Sequence, residues 1–396
     1  MLPTSRPYGT KSIVVFGHAD LFLGVPLRTP ALTAVFRINA ADGGGRRQAA
    51  DAAAGFFRCH AGAVGHRAQD MRTLLEILNA TTDFFKGKGL DKPRLQTELL
   101  LAAVLGCRRL DLYLQFERPL PEEILEKMRG WVRRRVAREP LQYITGETAF
   151  RDLTLKCDPR ALIPRPETEE LAGFVLEEIA KRGATADVNT DATTATAETA
   201  TANETAPESE VAVEPPPEIA PPPAPEVVLE VADLGTGTGA IALSLASENP
   251  ALQVTASDIS AAALALAAEN AAKLPPEVAA RVRFAQSDWL QNIEGAFDVI
   301  VSNPPYLTEA ELATAEPEVA RHEPRNALVA ADNGLAALKT ILEQARGRLR
   351  TGGFVGLETG IAHADALAVF AAALGYVRHE ARRDMSGRDR FFFAWV

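Results

Sequence analysis

Asp233-Leu234-Gly235-Thr236-Gly237-Thr238-Gly239 closes an apolar, β-branched run that starts near Val227 and leads directly into the alanine-rich stretch Ala240 to Glu248. Strand, tight glycine turn and helix in that order form the opening unit of a doubly wound α/β sheet, in which the turn cradles a ligand. Glycines at alternate positions let the backbone turn sharply and let a ligand approach without Cβ interference. The pattern is G-x-G-x-G rather than G-x-G-x-x-G, and no P-loop lysine follows. A nucleoside without phosphates is therefore the expected ligand.

Downstream, β-branched runs alternate with alanine-rich helical stretches, and candidate strands begin near Gln253, Val282, Phe297 and Phe354. That texture predicts a parallel sheet covered by helices. Two last strands, near Val377 and Phe391, follow one another without room for a crossover helix. The final strand must then run antiparallel to its neighbours. The fold class read from this is α/β, a Rossmann-like seven-stranded sheet preceded by a small all-α domain.

Three further segments fall at the carboxyl ends of the candidate strands, where open sheets place their sites. Asp258 lies about 20 residues past the glycines, the spacing of a carboxylate that binds ribose hydroxyls; capping the next helix is its other reading. Trp289, in Ser287-Asp288-Trp289, is suited to packing on an adenine or to filling the core. Ser302-Asn303-Pro304-Pro305-Tyr306 follows the fourth strand. Successive prolines fix the backbone and leave Pro305 without a donor, so the Pro304 carbonyl stands beside the Asn303 side-chain oxygen as a second acceptor. Together they can accept both hydrogens of an NH2 group, while Tyr306 can stack on a planar substrate. An amide nitrogen is a poor nucleophile, and two acceptors would hold it toward an electrophilic methyl and stabilise the charge that develops.

Upstream, Leu74, Leu75, Leu78 and Phe85 mark an amphipathic helix, a second helix runs from Pro93 to Gly106, a third spans about Asp111 to Glu117, and a fourth runs from Pro121 to Pro140. Arg133, Arg134, Arg135 and Arg138 on the fourth read either as a surface for an acidic or nucleic-acid partner or as a solvated face. The chain divides into residues 1–70, a disordered extension or mis-assigned start with Met71 as an alternative first residue; 71–140, a helical partner-binding bundle; 141–182, a hairpin connector and first catalytic helix; 183–226, a disordered Ala/Thr/Glu/Pro-rich insertion; and 227–396, the catalytic domain. The insertion holds nine acidic and no basic residues, so much of the net charge of -10 resides there. The folded parts are near neutral, and charge excludes no class of partner. Cys59, Cys107 and Cys157 lie far apart, which excludes a disulfide framework or thiolate metal site and fits a reducing cytoplasm. No apolar run reaches the roughly 20 residues of a membrane span.

These motifs resemble class I methyltransferases of the N5-glutamine type, and specifically the peptide chain release factor glutamine methyltransferases. The resemblance extends to Pro140-Leu141-Gln142-Tyr143-Ile144-Thr145-Gly146, to Leu162-Ile163-Pro164-Arg165-Pro166-Glu167-Thr168-Glu169 and to Ser386-Gly387-Arg388-Asp389-Arg390. It covers about residues 71–182 and 227–396. It implies S-adenosyl-L-methionine as cofactor, held by Gly235, Thr236, Gly237, Thr238, Gly239, Asp258, Trp289 and Asn303. It further implies that Asn303, Pro304, Pro305 and Tyr306 hold the glutamine of the Gly-Gly-Gln loop of a class 1 release factor. The expected enzyme is a cytoplasmic monomer with no metal, no membrane association and no direct nucleic-acid substrate. Rival readings are a ribosomal-protein glutamine methyltransferase with the same pocket, a nucleic-acid adenine N6-methyltransferase, and a non-catalytic cofactor-binding protein.

Overall fold

The computed structural model describes residues 72–190 and 228–396. The expectations for residues 1–71 and 191–227 lie outside the described residues.

Helix α1 (Leu74–Gly87) opens on a reciprocal cap in which Thr73 accepts from the Glu76 N–H and the Glu76 carboxylate accepts from the Thr73 N–H. Helix α2 (Pro93–Leu105) starts on proline and stops at Gly106 with φ 66°. The stretch expected as a third helix is a shorter 3₁₀ turn, Arg109–Leu114, from which Arg109 and Tyr113 reach back to the buried Glu98 carboxylate. Helix α3 (Glu122–Val136) is followed by a short α4 (Leu141–Thr145) that the sequence reading did not foresee. Leu74, Leu78, Phe85, Leu100, Met128 and Ile144 form the core of this bundle, each buried side chain contributing roughly 1.5–3 kcal/mol.

The hairpin β1 (Glu147–Phe150) and β2 (Leu153–Lys156) leads to α5 (Pro166–Thr190), which continues helically past residue 182 into the stretch read as insertion. Phe150, Leu155, Leu171 and Val175 share one core with Val231 and Ile241, so the connector packs as part of the sheet domain.

The main sheet contains β3 (Leu229–Leu234), β4 (Leu252–Asp258), β5 (Val282–Gln286), β6 (Phe297–Ser302), β7 (Leu349–Glu358), β8 (Arg378–Arg383) and β9 (Asp389–Trp395). Its order is β5-β4-β3-β6-β7-β9-β8, with β9 antiparallel to both of its neighbours, as the missing crossover helix requires. Helices α6 (Ala240–Glu248), α7 (Ala261–Ala271), α8 (Pro276–Ala279), α9 (Glu309–Thr314), α10 (Pro317–His322), α11 (Ala336–Arg346) and α12 (Ala364–Ala373) complete the fold. Both faces are covered: Phe391 and Phe393 enter one core and Phe392 and Ala394 the other, which is why β9 reads as a continuous apolar run.

Two ties fix the periphery. At the amino edge of the strands, Asp298 in β6 accepts from Arg182 of α5 through its carbonyl at 3.0 Å and from the Glu230 N–H of β3 through its carboxylate at 3.0 Å. Between the domains, buried Arg135 of α3 pairs with Glu318 of α10 at 2.7 Å and also donates to Gln96 at 2.6 Å. Arg134 pairs with Glu139, and Arg138 reaches Glu318 at 3.4 Å. The basic run is thus mostly engaged internally; of the residues read as a solvated face, Arg135 is a buried interdomain contact.

Candidate active site

The register of the sheet assembles the site. Leu234 pairs with Ser257 and with Ser302, and Ser302 pairs with Leu357. One residue further on, Gly235, Asp258, Asn303 and Glu358 therefore leave four adjacent strands in a row. The row spans the junction of β3 with β6, from which the chain departs in opposite directions and where doubly wound sheets open a crevice. A cavity of about 680 Å³ lies there. Gly235, Thr236, Gly237, Thr238, Asp258, Trp289, Asn303, Pro304 and Pro305 all line it; Gly239 and Tyr306 are not among its lining residues.

The glycine turn is shaped for close approach. Gly235 and Gly237 have φ of 70° and 58°, conformations that favour glycine. A Cβ on Gly235 would lie 3.5 Å from the Trp289 ring, and one on Gly237 would lie 3.7 Å from the Ala161 Cβ. Gly239 serves packing instead: a Cβ there would stand 3.0 Å from Leu243 and 3.2 Å from Ala267, between α6 and α7. The Thr236 hydroxyl donates to the Asp233 carboxylate at 2.6 Å, which also accepts from the Ala242 N–H at the start of α6. The other Asp233 oxygen is buried without a hydrogen-bond partner. Burial pushes this carboxyl up to about 7, against the lowering effect of its two donors.

Asp258 accepts from the Gly237 N–H at 3.0 Å and the Ser260 N–H at 2.8 Å, so it ties the glycine turn to the end of β4. The cap of α7 is Ser260, whose hydroxyl accepts from the Ala263 N–H. Each Asp258 oxygen keeps a lone pair for a ligand hydroxyl. Burial raises its pKa, partly offset by the backbone donors. Trp289 has φ 52°, a backbone cost of roughly 1–2 kcal/mol in a non-glycine residue, and its ring both lines the cavity and packs on the core beneath.

At the acceptor pair, Asn303 Nδ2 donates to Thr168 Oγ1 at 2.9 Å, leaving Oδ1 for the cavity. Tyr306 departs from expectation. Its hydroxyl donates to the buried Glu358 carboxylate at 2.9 Å and its ring lies 5.8 Å from the Arg390 guanidinium, and it is not among the residues that line the cavity. Burial raises both the Glu358 carboxyl and the Tyr306 phenol above their ordinary values.

Sequence reasoning assigned no role to the wall made by Arg160 to Pro164, to Thr168, or to Pro324, Asn326 and Ala327, all of which line the cavity. Tyr143 holds that wall by donating to the Ala161 carbonyl at 2.8 Å, and buried Glu323 accepts from the Ile163 N–H at 3.3 Å and from Arg165 at 2.5 Å. The available signal was that Tyr143, Ile163, Arg165 and Thr168 all sit in the two family-like signatures upstream of the glycine turn.

Seven strands in this order, a glycine cradle after the first and an Asn-Pro-Pro-Tyr segment after the fourth define a class I methyltransferase. Residues 76–146 match the PrmC N-terminal domain and residues 224–322 the methyltransferase small domain. The release factor glutamine methyltransferase of Chlorobaculum tepidum is 38% identical over 309 residues, 76% of this chain and 90% of that protein. That of Deinococcus radiodurans is 35% identical over 80% of this chain and 96% of its own length, and that of Salmonella typhimurium 35% over 76% and 91%. The chain belongs to the release factor glutamine methyltransferase family. Among the described residues no helix is long and apolar enough to cross a membrane.

Proposed function

We propose that this chain transfers a methyl group from S-adenosylmethionine to the side-chain amide nitrogen of the glutamine in the Gly-Gly-Gln loop of a class 1 peptide chain release factor. The observation that supports this reading is a cavity lined at once by the glycine cradle and by Asn303 and Pro304, with the Asn303 NH2 taken up by Thr168 so that its oxygen is free to accept from a substrate. The family's substrate supplies the rest. Such a substrate is found in the cytoplasm, and the helical bundle is the part available to grip it.

The residues fit a nucleoside cofactor. Gly235, Thr236, Gly237 and Thr238 would hold it through their backbone, Asp258 would accept from the ribose hydroxyls, and Trp289 would pack on the adenine; Gly239 contributes through helix packing. S-adenosylmethionine, when bound, supplies an electrophilic methyl. Asn303 Oδ1 and the Pro304 carbonyl accept the two hydrogens of the glutamine NH2 and hold its nitrogen in line. As the amide lone pair is withdrawn from its carbonyl, positive charge grows on the nitrogen and the same acceptors stabilise it; the methylated nitrogen is strongly acidic and releases one of its two protons to solvent, leaving the neutral N-methyl amide. Pro304 and Pro305 fix φ on both sides of the Pro304 carbonyl and so hold its direction.

Purified protein incubated with methyl-labelled cofactor and, separately, release factor, ribosomes and DNA should label the release factor alone, on the peptide bearing the Gly-Gly-Gln glutamine. Label confined to ribosomes or DNA would replace this reading with one of its rivals. Asp258→Ala should weaken cofactor binding about 10- to 100-fold, since a hydrogen bond to a charged group is worth about 1.5–3 kcal/mol. Calorimetric titration checks this, and an unchanged Kd would leave Asp258 as a tether of the glycine turn only.

A further inference from the structure

We propose that Thr168 and Glu358 are positioning residues that fix which atom of the Asn303 amide faces the cavity, and that they thereby select a glutamine side chain over a glutamate. The proposal rests on the reading of Asn303 as the substrate acceptor and adds to it the groups that make it one.

Asn303 alone does not specify an acceptor. A side-chain amide presents oxygen on one side and NH2 on the other, and a half-turn about its last bond exchanges them. The orientation is set by what lies behind it. Thr168 Oγ1 accepts from Asn303 Nδ2 at 2.9 Å and donates to Glu358 Oε2 at 2.7 Å. A hydroxyl has one hydrogen. Because Thr168 spends it on the carboxylate, it can only accept from Asn303, so the nitrogen turns inward and the oxygen outward.

The carboxylate that starts this chain is deeply placed. Glu358 is 1% exposed, and its other oxygen accepts from the Tyr306 hydroxyl at 2.9 Å. Both polar ends of the Asn303–Tyr306 segment thus hang from one carboxyl group, one on each oxygen. The β6–β7 register, which pairs Ser302 with Leu357, sets Glu358 beside Asn303. Thr168 comes from the first turn of α5 and bridges them.

The chemical consequence is selectivity. With two acceptors facing the cavity, a glutamine NH2 is received by both, whereas a glutamate carboxylate meets oxygen with oxygen. A buried polar site discriminates strongly against a group that leaves its hydrogen-bonding capacity unmet. Turning the Asn303 amide over would present a donor and remove much of that discrimination.

The test uses the full chain with Thr168→Val, which keeps shape without the hydroxyl, Thr168→Ser, which keeps the hydroxyl, and Glu358→Gln. A glutamine at 358 offers one oxygen where the carboxylate offers two, so it can accept from Thr168 or from Tyr306 but not from both, and the Thr168 hydroxyl is no longer held in one direction. Turnover on the release factor is measured alongside cofactor Kd and the relative affinity for the release factor and its variant with glutamate at the methylated position. Thr168→Val should lose about 10- to 100-fold in kcat with cofactor Kd unchanged, and its preference for glutamine over glutamate should fall at least about tenfold. Thr168→Ser should restore both, and Glu358→Gln should fall between. Wild-type discrimination in both Thr168→Val and Glu358→Gln, or Thr168→Ser as impaired as Thr168→Val, overturns the relay. If Thr168→Val fails to fold, Thr168→Ala, which also removes the hydroxyl, takes its place. Wild-type protein that leaves the release factor unlabelled overturns the functional reading beneath it, a separate result.

Discussion

Asn303→Ala is expected to leave cofactor binding nearly intact while methyl transfer falls about 100- to 1000-fold, the usual cost of removing one preorganised hydrogen-bonding group that acts on developing charge. The nucleoside end of the cavity is built by the glycine turn, Asp258 and Trp289, and none of these hydrogen bonds to the Asn303 side chain, whose polar partner is Thr168. Alanine there leaves the Pro304 carbonyl as lone acceptor, so one amide hydrogen is unheld and the nitrogen is free to rotate out of line. Turnover with labelled cofactor and calorimetric titration, taken together, check the split. Wild-type turnover would remove Asn303 from the chemistry.

The second large effect is on stability. Asp233→Asn should remove a pH dependence worth roughly 4 kcal/mol, the product of about three pKa units and 1.36 kcal/mol per unit. The carboxyl is raised from its ordinary value to about 7 by burial. Between about pH 4 and 7 the native state therefore holds a proton that the unfolded chain has released. This contribution is fully present below pH 4, is lost as the pH climbs through 7, and is constant above that. Asparagine does not titrate, and its oxygen can still accept from Thr236 and Ala242, the two donors that the aspartate serves. Urea unfolding at a series of pH values should show the variant gaining on the wild type from pH 4 to 8. Parallel curves would mean that folding leaves this carboxyl unshifted.

The sheet and the cradle were legible because their signals are local. A glycine turn between a β-branched run and an alanine-rich run, or two strands too close for a helix, is contained in a dozen neighbouring residues. Asp258 and Asn303, which line the cavity, stand out in the sequence for the same reason, as polar residues ending strands. Glu358 also ends a strand, yet nothing in its neighbourhood says that β7 lies beside β6 with Ser302 opposite Leu357; that is a property of register. Thr168 and Glu323 are further still, meeting the site across 135 and 160 positions of sequence. Tyr306 reads from sequence as a ring that can stack on a planar substrate, and the buried carboxylate that holds its hydroxyl lies 52 positions away, out of view of any local pattern. The arginine run misled in the same way: Arg135 looked exposed until its partner arrived from α10.

Arg182 and Glu230 both reach Asp298 at the amino edge of the strands, whereas the cavity opens past Leu234 and Ser302 at the opposite edge. Arg182 and Glu230 are thus both anchored at the end of the strands away from the reacting atoms. Because α5 and β3 are tied there rather than at the cavity, a fluorescent reporter attached near these two anchors would sense unfolding of the sheet without standing in the mouth of the site.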